Sequence, residues 1–311
     1  MDADCKTDLL LTAGDPAVFE CFDGDGVRVG DGGVGDGDIH PRHPRSLLSG
    51  GGDVVGDGGD GDTRRAPVIV CCDHAGLAVP MRLGDLGVAA AAFATHIAGD
   101  LGAREVSMHL ARRLRAPLLL ANYSRLVIDL NRHLDDATLI PTVSDGVDIP
   151  GNFNLTEAHR RQRIDELFTP YHACYRKLVD DLQSRFARGL IIAAHSFAPR
   201  MRGDATMRPW HFGVLWDDQR EVAEALINNL RALDGDLCIG DNRPYHANAP
   251  RGYAMDAHAQ SRGVNMALIE IRQDLIARAA GQRWAAEILH RAIAPLMDAT
   301  PAAGRVALAA G

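Results

Sequence analysis

No apolar stretch in this chain of 311 residues approaches the roughly 20 residues that span a bilayer, so its pattern implies no membrane-crossing helix. Cysteine is sparse and dispersed. Cys5, Cys21, Cys71, Cys72, Cys174 and Cys238 have no knuckle spacing, which excludes a cysteine-built zinc finger, and the adjacent Cys71 and Cys72 suit packing within an apolar run. No basic, apolar and small-residue signal opens the sequence, and a reduced cytoplasm is the expected setting. Excess charge of one sign is also missing from most of the chain. Beyond residue 65 there are 27 basic and 27 acidic side chains, so no long-range field draws in nucleic acid or an anionic membrane. The pattern sets no oligomeric state.

What is present is unevenly distributed. The formal net charge of −8 lies wholly in the first 65 residues, where thirteen Asp and Glu20 face six Lys or Arg and 15 of the 32 glycines gather. The stretch from Asp23 to Asp38, DGDGVRVGDGGVGDGD, has too few apolar side chains to offset the entropy of ordering. A disordered Gly/Asp-rich tail over 1–65 is the expectation. An EF-hand loop opening at Asp23 would need Gly at its sixth position and Glu at its twelfth, where Arg28 and Val34 stand.

From residue 66 to 311 the pattern is that of a single α/β domain with a mixed, mostly parallel sheet between helices. Pro67 to Cys72, Leu126 to Leu130 and Leu190 to Ala194 are continuous apolar runs, as expected of parallel strands buried on both faces. Leu118 to Ala121, Phe212 to Trp216, Leu237 to Ile239 and Met266 to Ile271 are further strand candidates, with Asn122 to Ser124 a turn. Helical spacing covers Leu101 to Leu114, Thr156 to Ala187 with a kink or break at Pro170, Asp217 to Leu233 with Asp217 as cap, and Trp284 to Met297.

Open α/β sheets bind ligands beyond the carboxyl ends of their strands, which is where the polar residues collect. His74 follows the first run within Asp73-His74-Ala75-Gly76, and His195 ends a run too apolar to bury an unpartnered imidazole. Asp100 directly precedes a helix and either caps it or ligates a metal, and His96, four residues earlier, would share its helical face. Two imidazoles and one carboxylate with an open fourth position is the donor pattern of catalytic zinc. Arg125, Asn131 and Arg132 bracket the second run with planar donors suited to a carboxylate. Glu270 lies among apolar residues, where burial raises a carboxyl pKa as a general base requires, with Arg272 beside it as an alternative ion-pair partner.

Taken in order, these segments resemble the N-formylglutamate amidohydrolase family over roughly Pro67 to Ile276. The resemblance rests on CDHAG with Pro80, HIAGDLGA at 96–103, YSRLVIDLNR at 123–132, AAHSF at 193–197, GDNRPY at 240–245 and ALIEIRQDLI at 267–276. More distantly, DLNR and the strand ending HSF resemble the zinc carboxypeptidase and aspartoacylase group, implying a zinc-exopeptidase, phosphorylase/hydrolase-like fold. That group carries Glu three residues after its first His, whereas Leu77 stands there in this sequence.

The resemblance implies a Zn2+ ion, or another divalent metal, held by His74, Asp100 and His195, with His96 and Asp73 competing for the second position. It implies Glu270 as general base and Arg125 as carbonyl-polarising residue, with Asn131, Arg132, Arg272 and His258 at the substrate. The implied reaction is hydrolysis of N-formyl-L-glutamate, the family's best-known substrate in histidine breakdown, or of a similar small acidic N-acyl amino acid. A zinc carboxypeptidase or deacylase acting on a larger substrate is the enzymatic alternative. A non-catalytic binding protein that kept the fold, with Leu77 marking a lost ligand, is the other.

Overall fold

The computed structural model describes residues 9–31, 67–247 and 252–298. The strands of its main sheet are β1 (Phe19–Phe22), β2 (Arg28–Asp31), β3 (Val68–Cys72), β4 (Leu118–Ala121), β5 (Leu190–Phe197), β6 (Phe212–Leu215), β7 (Ile239–Asp241) and β8 (Asn265–Arg272), and Val143–Ser144 pairs with Val147–Asp148 apart from it. They form one sheet in the order β2-β1-β4-β3-β5-β8-β6-β7. At its centre β4, β3, β5 and β8 run parallel, while β6 lies antiparallel to β8 and β1 antiparallel to β4. The sheet is mixed and mostly parallel, as the apolar runs imply.

Those runs are continuous because both faces of the sheet are covered. Ile69, Cys71, Leu119 and Ile191 face helix α2 (Thr169–Arg185), packing with its Tyr171, Tyr175 and Leu178. The alternate residues Val68, Val70, Leu120 and Ile192 face the other way. There they meet α1 (Ala103–Leu114), α3 (Arg220–Leu233) and α4 (Ala279–Asp298). Each such aliphatic side chain contributes about 1.5–3 kcal/mol when fully buried, so a polar residue at either parity would be costly before the strand ends.

The long helical region resolves its proline without a break. A helix over Glu157–Arg163 passes through a π-helical turn at Ile164–Phe168 into α2, and Pro170 directly follows that widened turn as the second residue of α2. Asp217 does not cap α3; its Oδ2 accepts from Gln260 Nε2 at 2.8 Å, and the N-cap position is Gln219. Asn122 to Ser124 is not a turn. Tyr123 bridges Ala78 in extended pairing, and the crossing is so close that a Cβ on Gly76 would lie 2.0 Å from the Asn122 carbonyl.

Leu126 to Leu130 is buried as expected but is not a strand. Its backbone groups are satisfied by turns and side chains instead of a ladder. Asn152 Nδ2 donates to the Leu126 carbonyl, Arg163 Nη1 to that of Val127, and His172 Nε2 bonds that of Leu130. The N–H of Asp129 goes to the Leu139 carbonyl. An apolar run thus packs as an anchored loop, because buried polar side chains elsewhere in the sequence replace its strand neighbours.

The disordered-tail expectation is corrected for residues 9–31, while residues 1–8 and 32–65 lie outside the described residues. β1 pairs with β4 from Phe19 opposite Ala121 to Phe22 opposite Leu118, and β2 turns back on β1. The Asp23 carboxylate accepts the N–H of Asp25 and of Val27, closing that turn. Leu10, Leu11, Val18 and Phe19 join the core, and the Glu166 carboxylate receives the N–H groups of Leu10 and Leu11 at 2.9 and 2.8 Å. Averaged over 65 residues the composition is that of a tail, but this short apolar stretch buries enough to order. Phe19→Ala is expected to destabilise the protein by about 3 kcal/mol in urea denaturation. A change near zero would mean that β1 does not belong to the folded body.

Candidate metal centre

The carboxyl end of the sheet brings three distant side chains together. His74 sits two residues past β3, His195 is the third residue from the end of β5, and Asp100 follows a turn that precedes α1. One ligand-type atom from each lies within 4.8 Å of the others, and all three residues are buried. His195 Nδ1 is 2.8 Å from Asp100 Oδ2, and His74 Nδ1 is 3.5 Å from the same oxygen. Asp100 is fixed by backbone contacts on both sides: its N–H donates to the His74 carbonyl, and its Oδ2 accepts from Ser196 N. Its side chain caps no helix, since the N-cap of α1 is Gly102.

The surroundings set the state of each group. His74 Nε2 bonds Asp129 Oδ1 at 2.7 Å, which leaves Nδ1 facing Asp100 without a hydrogen-bond partner. The other Asp129 oxygen accepts Arg125 Nε and Nη2 at 3.1 and 2.6 Å. Burial and the Arg125 guanidinium oppose a charged His74, yet Asp129 and Asp100 outweigh them and raise its pKa to about 9. For Asp100 burial acts upward, but His74 and His195 hold its carboxyl well below the usual range.

Glu270 stands opposite His195 in the parallel register of β8 with β5, so the two side chains leave the same face of adjacent strands. Burial pushes the Glu270 carboxyl up to about 7, against the pull of His195, and its Oε2 has no hydrogen-bond partner. Behind His195, Asp73 accepts Tyr171 Oη at 2.6 Å and turns its other oxygen toward His195 Nε2, 3.9 Å away. His195 Nε2 and Asp73 Oδ2 are both unpartnered.

This donor set fits a divalent cation. Two imidazoles and a carboxylate converge, His74 Nδ1 faces Asp100 without a hydrogen-bond partner, and Asp73, Asp100, Asp129 and Glu270 are all buried about the two imidazoles, with the Arg125 guanidinium beside them. Leu77 is 43% exposed, and Asp100 supplies the acidic group that stands with the two histidines. His96 belongs to no helix and instead faces Asp145, 3.3 Å away, while Asp73 lies behind His195.

A cavity of about 470 Å³ opens over this cluster, walled by His74, Asp100, His195, Glu270, Arg125, Asn131 and Arg132. Asn131 Oδ1 accepts from Ala254 N, and Arg132 Nε reaches Thr138 Oγ1 at 3.3 Å. Two expected substrate residues stand elsewhere. His258 is enclosed by stacking on Tyr175 and a 2.9 Å bond to His172, where burial lowers its pKa to about 3. Arg272 points away to Asp274 and to the carbonyls of Arg208, Pro209 and Trp210. Sequence reasoning passed over Asp129, although an acidic residue inside an apolar run, four residues after Arg125, was the available signal. Tyr245 in the cavity wall was also passed over.

Comparison with known proteins follows the same lines. The family model described as N-formylglutamate amidohydrolase matches residues 66–277. An N-formylglutamate deformylase of Pseudomonas putida is 33% identical over 97 residues, 28% of this chain and 36% of that protein. One from Pseudomonas aeruginosa is 34% identical over 96 residues, with the same coverage, so the aligned stretch spans about a third of the length of these curated relatives. Among solved structures, the gene product Atu2144 of Agrobacterium tumefaciens superposes with a TM-score of 0.69 at 31% identity, covering 75% of this chain and 92% of that one. The N-formylglutamate amidohydrolase of Ralstonia eutropha JMP134 shares the fold, with a TM-score of 0.52 at 20% identity over 76% of this chain and 96% of that one.

Asp129→Asn is expected to weaken binding of a divalent metal about 10- to 100-fold, because the carboxylate orients the His74 ring. Competition with a chelator measures it. An unchanged affinity would remove His74 from the metal site.

Proposed function

The chain belongs to the N-formylglutamate amidohydrolase family, and on that premise we propose that it is a metal-dependent amidohydrolase acting on small N-acyl amino acids, N-formyl-L-glutamate first among them. The reaction adds water across the amide, releasing formate and the amino acid. The carrying observation is the convergence of His74, Asp100 and His195 with the unpartnered Glu270 carboxylate beside them. We assign zinc as the metal, since two imidazoles and a carboxylate with one open position suit it. When bound there, zinc polarises a carbonyl and lowers the pKa of a water to about 7.

The chain's own residues supply the remainder. Glu270 Oε2 accepts a proton from the attacking water and returns it to the amide nitrogen as the bond to carbon breaks; burial, which raises this carboxyl to about 7, suits both halves of the transfer. Arg125 is gripped by Asp129 through Nε and Nη2, which leaves Nη1 to stabilise the developing oxyanion. Asn131 presents Nδ2 because its Oδ1 is occupied by Ala254 N, and with Arg132 it holds the substrate α-carboxylate. Leu126, Leu215, Phe197 and Leu268 supply an apolar part of the cavity wall.

A longer N-acyl group is the second reading, favoured by a cavity of about 470 Å³, within the size range that encloses much larger ligands. A series of N-acyl-L-glutamates of increasing chain length separates the two. We place the activity in the cytoplasm, in keeping with unpaired thiols at Cys21, Cys71, Cys72, Cys174 and Cys238. No helix among the described residues is long and apolar enough to cross a membrane.

Glu270→Gln should lower kcat for formate release by about 100- to 10,000-fold while the metal content stays at the wild-type level. Near-normal turnover in the metal-loaded variant would remove Glu270 from proton transfer.

A further inference from the structure

The cavity wall includes a histidine, His96, that the chemistry above does not use. It lies four residues before Asp100 on a turn whose next two residues, Ile97 and Ala98, are buried, and the Ala98 carbonyl accepts from Arg125 N at 3.3 Å and Ser124 Oγ at 2.6 Å. The backbone beneath the ring is therefore tied to the segment that carries Arg125. Beside the ring stands Asp145, in the turn that joins Val143–Ser144 to Val147–Asp148. Asp145 and Gly146 both have positive φ, 45° and 72°, as a two-residue type I′ turn requires, and Asp-Gly meets that requirement readily. Turn chemistry thus presents a carboxylate to His96, and Val143, Ser144 and Asp145 belong to the same cavity wall.

The two ring nitrogens are not equivalent. Nε2 is enclosed and lies 3.3 Å from Asp145 Oδ2, whereas Nδ1 has no partner among the described residues and is not enclosed. A lone pair on Nε2 would face the carboxylate, so the proton of the neutral ring sits on Nε2 and Nδ1 is left as an acceptor. Burial lowers the His96 pKa, with Asp145 opposing and Arg125 reinforcing the effect, so the ring is neutral near pH 7. Asp145 is itself held, since its Oδ2 accepts from Arg202 N at 3.3 Å. Among the donors that Arg125, Asn131 and Arg132 bring to the cavity, Nδ1 is a neutral acceptor fixed in advance of binding.

We propose that His96 accepts the N–H of the scissile amide at Nδ1 and so selects amides that bear an N–H over esters and N-alkylated amides. This deepens the amidohydrolase reading and rests on it. A neutral acceptor suits an uncharged N–H, whereas a substrate carboxylate would meet the same lone pair and be repelled. With the hydrogen held there, the direction in which the nitrogen lone pair develops is fixed as the carbonyl carbon becomes tetrahedral, and the proton from Glu270 is delivered to that lone pair. His96 orients the substrate directly, and Asp145 is a positioning residue that sets the tautomer. An oxygen or a methylated nitrogen in place of the N–H would leave Nδ1 without its partner.

Calorimetric titration of the full metal-loaded chain with N-methylsulfonyl-L-glutamate and with its carbon isostere, in which CH2 replaces the N–H, tests this without turnover, because both ligands resist hydrolysis. The wild type should bind the sulfonamide about tenfold or more tightly than the isostere. His96→Phe keeps a ring and removes the acceptor, and should bring the two affinities together by weakening the sulfonamide alone. His96→Asn, whose side-chain carbonyl can take the place of Nδ1, should recover part of the difference, and His96→Ala supplies the comparison if the phenylalanine variant does not fold. A wild type with no preference, a preference kept in the variants that lack the acceptor, or equal weakening of both ligands would overturn the proposal. Formate release from N-formyl-L-glutamate is measured in parallel. A chain that prefers the sulfonamide through His96 but releases no formate would overturn the hydrolase reading and leave this assignment standing.

Discussion

Four carboxylates buried around two imidazoles govern this protein. Asp73, Asp100, Asp129 and Glu270 are each less than a tenth exposed, and Arg125 is the guanidinium paired directly with this cluster. Uncompensated charge is expensive away from water, so each carboxylate is tied to a donor or drives a neighbour toward its charged form. His74 is held near Asp129 and Asp100 and pushed up to about 9, while Glu270, with fewer donors, is pushed toward its neutral form. One cluster therefore sets a donor group that fits a divalent cation beside a carboxyl that burial pushes up to about 7. These are the two requirements of hydrolysis by an activated water.

The fold exists in large part to hold that cluster. Both faces of the central strands are covered, so β3, β5 and β8 have no freedom to shift register without exposing or unpacking a whole face. Their parallel register fixes His195 beside Glu270, and the short extension past β3 brings His74 to the same rim. Arg125, Asp129, Asn131 and Arg132 come from an anchored loop instead of a strand, where turns and the side chains of Asn152, Arg163 and His172 satisfy the backbone. A loop permits closer convergence than a strand, because successive residues need not alternate across a sheet. That is how four polar residues from eight positions all reach one cavity.

Much of this was legible in the sequence, and the exceptions have physical reasons. The apolar runs Pro67 to Cys72, Leu190 to Ala194 and Met266 to Ile271 identified the strands observed at Val68–Cys72, Leu190–Phe197 and Asn265–Arg272, because strands buried on two faces read as continuous apolar stretches. The same reasoning failed at Leu126 to Leu130, since burial alone does not say whether a neighbour is a strand or a set of buried polar side chains from residues 152, 163 and 172. Composition hid β1 and β2 inside a glycine- and aspartate-rich stretch, whose few apolar residues act through contacts with Tyr171 and β4 that no local window contains. His74, His195 and Glu270 stood out as polar residues at or near the ends of apolar runs, and Asp100 as the acidic residue directly before a helix. Asp129 did not, because its bond to His74 joins residues 55 apart in sequence, and only its pairing with Arg125 was local.

X-ray absorption at the zinc edge of the zinc-loaded protein tests the central claim most directly. The account predicts one equivalent of zinc with two imidazole nitrogens and oxygen ligands at about 2.0–2.2 Å, and loss of one imidazole from the spectrum in His195→Ala. A shell of sulfur at about 2.3 Å, or an unchanged spectrum in that variant, would contradict it.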